Sequence, residues 1–340
     1  MHFIDSVSKN HIGISTWLLI LSIMTFLMIV IGGLTRLTES GLSMVDWNPI
    51  MGTIPPLSHL AWVDAFDNYK MTPEFQIVNK LMSLNEFKYI FWWEWFHRFL
   101  GRLIGILFLI PLIFFTYKEN FKKLVNLYLI FFLICFQGFI GWHMVSSGLV
   151  YRIDVSHFRL SIHLIIAFII TSLILWNYFN LKINRNFNDK FNYSAIFIFL
   201  LLIFGQITIG ALVSGMDAGQ IYNSWPLMGS SFFPADNEII NIFKLSAFSD
   251  PSLVQFMHRN LAYIILIFYL IILFKIYKKK LINLYFAINL VGLLLLIQII
   301  LGIFTLLYGA QILIASMHQI SSIFLVSSSV YLLYLNSKSN

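Results

Sequence analysis

Eight stretches of this chain are long and apolar enough to cross a lipid bilayer, and that pattern limits the fold more than any other feature. They run at about 14–34, 90–117, 124–146, 158–181, 193–214, 254–275, 281–308 and 312–334, each near the roughly 20 residues needed to cross the hydrocarbon. The fold predicted is an all-α integral membrane protein of eight transmembrane helices. Only 11% of the residues are charged and the mean hydropathy is +0.82, so no soluble domain of this length is at hand.

A formal net charge of +7 would suggest nucleic acid as a partner for a soluble protein. Here the basic residues sit in short loops instead: Lys118, Lys122 and Lys123 in one, Lys182, Arg185 and Lys190 in another, Lys275, Lys278, Lys279 and Lys280 in a third. The alternate loops carry Glu39, Asp46, Asp64, Asp67, Glu74 and Glu86, then Asp217, Asp236, Glu238 and Asp250. The positive-inside rule places both termini in the cytoplasm and the acidic loops outside. Met1 to Ser15 show neither a cleavable signal nor a transit pattern, so the first run reads as a retained signal anchor. The single cysteine, Cys135, lies inside an apolar run and leaves no disulfide framework within the chain.

The first acidic loop, roughly 36–89, is long enough for structure of its own. Thr72-Pro73-Glu74 is a helix start with proline at the first helical position. Ser83-Leu84-Asn85-Glu86 matches a capping box leading into the second span, which gives Glu86 a structural role. Trp92, Trp93 and Trp95 suit the aromatic belt of an interface.

The two halves of the chain match. Gly32 to Gly52 aligns with Gly210 to Gly229, which brings Glu39 onto Asp217, Gly41 onto Gly219, Trp47 onto Trp225 and Pro49 onto Pro226. His97-Arg98 falls on His258-Arg259, Leu124 to Tyr128 on Leu281 to Tyr285, Gln137 on Gln298, and His163 on His318. Four spans per half is an even number, so the copies share one orientation, related by an axis along the membrane normal. The expected architecture is two pseudo-symmetric four-helix bundles, residues 1–190 and 191–340.

His97, His163, His258 and His318 each stand some five to seven residues inside the outer end of an even-numbered run, on the order of 10 Å deep. A lone membrane histidine is usually a hydrogen-bonded core residue, but two duplicated pairs at equal depth point to ligands. Paired histidines from facing helices suit the axial positions of haem iron. Zinc is the rival, yet it wants three or four protein ligands, and each half offers two histidines and at most one carboxylate. Arg98, Arg102 and Arg259 lie beside the proposed ligands and could meet haem propionates, with Arg36 and Arg159 in reserve; their alternative role is interfacial snorkelling. His2, His11, His59, His143 and His157 are weaker candidates, in tails or loops or without a counterpart.

The copies differ at one telling position. Glu94 stands one turn before His97, on the same helix face, where the second half has Gln255. An ionisable group inside a span is expensive and usually functional. A carboxylate there can accept a proton or stabilise developing positive charge; its alternative role is an ion pair with Arg98. An iron closed by two histidines suits electron transfer, so the second half reads as a relay and the first as the site of chemistry.

The Gly-Gly-Leu-Thr-Arg-Leu-Thr-Glu-Ser-Gly-Leu-Ser segment from Gly32, Trp47-Asn48-Pro49, Glu94-Trp-Phe-His97-Arg98, His163, His258 and His318 together resemble haem A synthase over essentially the whole chain. The resemblance implies a bacterial inner-membrane enzyme that oxidises a methyl group of haem O, through a hydroxymethyl intermediate, to the formyl group of haem A for cytochrome oxidase. It implies a resident haem b on His258 and His318, substrate haem O flanked by His97 and His163, and a glutamate, here Glu94, needed for turnover. Expected partners are haem O, haem O synthase, an electron-transfer partner, membrane lipid and a second copy of the chain, and no nucleic acid. Some bacterial members carry a cysteine pair in the first outer loop; this chain has none there and resembles the cysteine-free branch of proteobacteria and mitochondria. Two other functions are open from the residues: a transmembrane bis-histidine cytochrome and a haem carrier. Glu94 against Gln255 favours the enzyme, because a symmetric electron wire needs no acid in one half only.

Overall fold

The computed structural model describes residues 11–46, 51–118, 121–151, 153–183 and 190–337. His2, the Trp47-Asn48-Pro49 motif and Arg185 lie outside the described residues, as do most of the N-terminal tail and the side chains of His11, Lys122 and Lys123. In chain order the helices are α1 (His11–Leu37), α2 (His59–Lys70), α3 (Pro73–Ile77), α4 (Leu84–Lys118), α5 (Phe121–Tyr151), α6 (His157–Lys182), α7 (Tyr193–Gly215), α8 (Pro251–Lys278), α9 (Tyr285–Leu307) and α10 (Ile312–Asn336). All but α2 and α3 are long and apolar enough to span a membrane, giving the eight predicted crossings. No strand forms among the described residues.

The boundaries depart from the apolar runs most at α4, which starts at Leu84 rather than near residue 90. Its start is set by chemistry rather than hydropathy. The Glu86 carboxylate accepts from the Ser83 main-chain N–H at 2.7 Å while Glu86 N–H donates back to Ser83 Oγ at 3.4 Å, the expected capping box. His97 therefore lies more than three turns into its helix, deeper by count than the roughly two turns of His163, His258 and His318. The extra turns of α4 carry a hairpin made by α2 and α3, capped by Ser58 and by Thr72 with Pro73 behind it. Tyr69, Phe87, Phe66, Ile90 and Phe91 form its apolar centre, each full burial of such a side chain contributing about 1.5–3 kcal/mol. Trp92 faces Trp62 of this hairpin, with ring centroids 5.8 Å apart.

Among the long helices, α4 and α6 each pack on α1 and α5, and α8 and α10 each pack on α7 and α9 in one pattern used twice. The two sets meet along α1, α6, α7 and α10. One apolar cluster, with Trp17, Leu21, Phe108, Leu127 and Ile174, fills the first set; another, with Phe199, Ile203, Tyr269, Val291 and Val330, fills the second and reaches α6 and Ile29 of α1. Lipid tails are as apolar as leucine, so close packing and interhelical hydrogen bonds must hold such helices together. Trp17 Nε1 donates to the Leu107 carbonyl, Ser161 Oγ to the Thr208 carbonyl and Gln319 Nε2 to the Ile29 carbonyl, each at 2.8 Å.

The matched positions also bend alike. Glu39 and Asp217, one just beyond α1 and the other just beyond α7, both adopt left-handed backbone, with φ of 53° and 49°. Non-glycine residues rarely take this conformation, so its return at the aligned pair is a structural trace of the repeat. Arg36 then reaches across the seam to Asp217 at 2.8 Å and to the Ser214 carbonyl at 2.6 Å.

Candidate functional site

The four histidines predicted as ligands are half-buried, one each on α4, α6, α8 and α10. The His97 and His163 rings face one another with centroids 6.3 Å apart and planes inclined at 56°. Two metal–imidazole bonds of about 2 Å each, together with the radius of each ring, fill a separation of this size. No group of three His, Cys, Asp or Glu side chains gathers among the described residues. The pair thus offers two ligands, the number a porphyrin iron takes axially, where zinc would want more.

Each ring is seated against a glycine on the preceding span. A methyl group at Gly32 would come within 2.9 Å of His97 Cε1, and one at Gly302 within 2.9 Å of His318 Cε1; for Gly141 with His163 and Gly210 with His258 the distance is 3.0 Å. Glutamines stand one turn before three of these glycines. Gln137 donates to the His163 carbonyl at 2.8 Å, Gln206 to the His258 carbonyl at 2.9 Å and Gln298 to the His318 carbonyl at 3.1 Å. Gln206 Nε2 also lies 3.3 Å from His258 Nε2, and Gln298 Nε2 lies 3.3 and 3.4 Å from the two His318 ring nitrogens. The sequence reading matched Gln137 with Gln298 and Gly32 with Gly210 but gave them no task. The missed signal was Gln-x-x-x-Gly, which occurs at 137–141, 206–210 and 298–302 and becomes Met28-x-x-x-Gly32 in the first span.

Glu94 is almost wholly buried, and its carboxylate is enclosed by donors. Oε2 accepts from Ser43 Oγ at 2.7 Å and Met44 N–H at 2.8 Å; Oε1 accepts from Arg98 Nη2 at 2.6 Å and Nε at 3.1 Å. The i,i+4 ion pair with Arg98 is thus made, and it clasps the strand of loop that follows α1. Arg98 completes the clasp by donating to the carbonyls of Met44 at 2.8 Å and Asp46 at 3.1 Å. The second half builds the same clasp without charge on the α8 partner. Gln255 donates to the Tyr222 carbonyl at 3.2 Å, and Arg259 donates to the carbonyls of Tyr222, Ser224 and Leu227. Beside the Glu94 clasp a groove of about 450 Å³ opens between Met44, Asp46, Pro55, Ala61 and Phe91.

Other basic and imidazole groups have local tasks. Arg36 is paired with Asp217 and Arg159 donates to Ser147 Oγ, while Arg102 is half-buried on α4. His143 stacks on Phe139, His157 lies against Phe158, and His59 is exposed at the start of α2.

In the protein clasped loops join the spans of a polytopic helical assembly, and the His97 and His163 imidazoles face each other in its first half. That combination defines a polytopic helical membrane protein with a facing histidine pair, His97 and His163, in its first half. Residues 15–330 match the family model described as cytochrome oxidase assembly protein (COX15-CtaA), and the chain belongs to that family. It is 45% identical to the Heme A synthase of Pelagibacter ubique (strain HTCC1062) over 97% of this chain and 98% of that one. The Heme A synthase of Rickettsia bellii (strain OSU 85-389) is 43% identical over 93% of this chain and 96% of its own. That of Flavobacterium johnsoniae is 40% identical over 98% and 100%.

Proposed function

We propose that this protein is a haem A synthase, an oxidoreductase that converts a methyl group of haem O, by way of a hydroxymethyl intermediate, to the formyl group of haem A for cytochrome oxidase assembly. The observation that carries the reading is the facing pair His97 and His163 beneath the Glu94 clasp, in a chain alike from end to end to heme A synthases.

The first pair, His97 and His163, holds the substrate. The second pair, His258 and His318, would hold a resident haem b, which would supply a one-electron centre. Arg98 and Arg259 are the basic groups adjacent to a ligand in each half and are the cations this reading puts forward for the propionates, with Arg98 already sharing its charge with Glu94. Where the clasp of the second half has Gln255, Glu94 gives that of the first a buried carboxylate. Four donors and no acceptor surround it, so negative charge is complemented there, and its field bears on a substrate methyl losing electrons and protons. In a low-dielectric site that stabilisation exceeds what water would allow.

The division into a substrate half, residues 1–190, and a resident-haem half, residues 191–340, follows from the same asymmetry. The lysine bias of the loops supports an orientation with both termini in the cytoplasm of a bacterium and the clasped loops outside its inner membrane. Haem O synthase and an electron-transfer partner are the expected neighbours, and a second copy of the chain is the expected companion. Haem extraction tests the reading. Purified protein supplied with haem O should yield haem A and the hydroxymethyl intermediate; haem O returned unchanged would make the protein a carrier or an electron wire.

A further inference from the structure

Metal-ligating histidines almost always fix their ring by donating the second nitrogen to a carbonyl or carboxylate. Here His97, His163 and His258 have Nδ1 buried without any hydrogen-bond partner, so something other than that bond must set the ring. In each case the Cε1–Nδ1 edge is the part of the imidazole pressed on the neighbouring glycine: at His97 a methyl on Gly32 would meet Cε1 at 2.9 Å and Nδ1 at 3.3 Å, and the same two atoms lie nearest at the other three. At Gly32 and Gly302 a real Cβ essentially never approaches so closely, and at Gly141 and Gly210 the ring would have to give way by a few tenths of an ångström, so glycine is what admits the ring in this pose. The glutamine one turn earlier lies on the same face of its helix and ties down the main-chain carbonyl of the same histidine.

We propose that Gly32, Gly141, Gly210 and Gly302, with Gln137, Gln206 and Gln298, are positioning residues that set the angle of the four imidazoles by seating, which at His97, His163 and His258 stands in place of the usual hydrogen bond to Nδ1. The inference rests on the reading that these histidines hold haem. Its logic is geometric: the glycine surface stops the ring from turning about its Cβ–Cγ bond, and the glutamine stops the helix segment that carries it from shifting. The bond from glutamine to the carbonyl does not depend on which ring nitrogen meets iron. A contact from Gln206 or Gln298 to a ring nitrogen would be given up where iron took that nitrogen, while the carbonyl bond would stay.

The angle between two axial imidazole planes governs the low-spin ferric electron paramagnetic resonance signal and shifts the reduction potential, so the test reads the ligands rather than activity. Full-length protein is purified with its haem as parent, Gly210→Ala, Gly302→Ala, Gln206→Met and, as control, Gly105→Ala, where an added methyl meets nothing within 4 Å. Gly210→Ala and Gly302→Ala should move the largest g-value and the midpoint potential, or lose haem, while Gly105→Ala changes neither. Gln206→Met introduces no clash and copies the first span, so it covers the case in which an alanine variant does not assemble. It should broaden or shift the same signal and speed haem transfer to apomyoglobin several-fold. Parent-like signal, potential and haem release in Gln206→Met and in whichever alanine variants keep haem would overturn the inference. His258→Ala separates this from failure of the haem reading. If that variant loses the low-spin signal while the cradle variants keep it unchanged, the seating inference alone is wrong. If His258→Ala and His318→Ala both keep the signal, the haem assignment itself falls.

Discussion

Replacing Glu94 by glutamine makes the first clasp imitate the second while keeping its size. The structure shows why the imitation fails. Glu94 accepts from four donors, Ser43 Oγ, Met44 N–H and two nitrogens of Arg98. A glutamine amide can turn its oxygen to Arg98, but its NH2 then faces the Met44 N–H, which cannot accept. Gln255 escapes that conflict because it has the Tyr222 carbonyl to donate to. Removing one partner of a buried ion pair costs about 3–5 kcal/mol; Arg98 keeps the Met44 and Asp46 carbonyls, so the lower end of that range applies. The expected outcome is a protein that folds with lower thermal stability, keeps the haem of His258 and His318, and accumulates haem O or its hydroxymethyl product. Ser43→Ala is the companion variant: it leaves the charge, removes one hydrogen bond worth about 1 kcal/mol, and should still form haem A. Haem extraction by chromatography and thermal unfolding in detergent read both effects. Haem A formed by Glu94→Gln at the parent rate would reduce the carboxylate to a clasp, and equal loss of haem A in Ser43→Ala would move the requirement from the charge to the loop.

Other expectations are independent of that one. His258→Ala or His318→Ala should abolish or shift the low-spin absorption spectrum of the purified protein; an unchanged spectrum in both removes the resident haem from this pair. A cysteine at Asp67, exposed on α2, should react with an impermeant thiol reagent on spheroplasts, whereas labelling only after lysis would put the hairpin in the cytoplasm. Burial pushes the Glu74 carboxyl up from 4.5 to about 7, against the pull of the Tyr69 hydroxyl, whose donated hydrogen bond lowers it. Because the folded value is the higher one, its contribution to hairpin stability is complete below pH 4.5 and is lost as pH rises through about 7. Hydrogen exchange of α2 and α3 should therefore quicken across that window, at a cost of about 3 kcal/mol at most, and Glu74→Gln should flatten the dependence.

The crossings, the capping box at Ser83 and the histidine positions were legible in the sequence because each depends on residues near in the chain. Apolar length sets a span, and a hydroxyl three residues before a glutamate sets a cap. The hairpin resting on Trp92 and the clasp at Glu94 were not legible. Spacing placed Glu94 on the face of His97, but it could not foresee that Ser43 and Met44 would fold back over it, a contact across about fifty residues. The glycine seats were written in plain view as Gln-x-x-x-Gly, yet in a membrane helix glycine is common, and only the imidazole pressed on each one gives it meaning.

One departure from that pattern bears on turnover. Where three spans place a glutamine, the first has Met28, which has no amide to offer the His97 carbonyl. Of the four imidazoles, His97 is thus the one whose main-chain carbonyl faces a span with no glutamine at that position. A resident group should never leave, and its two ligands are both tied. A substrate must arrive and depart in every cycle, so its residence time is bounded by the easier of its two ligands to let go. On the proposed reading the missing amide should give the first pair a shorter dwell than the second, and Met28→Gln should lengthen it, slowing product release while leaving the second pair's occupancy as it was.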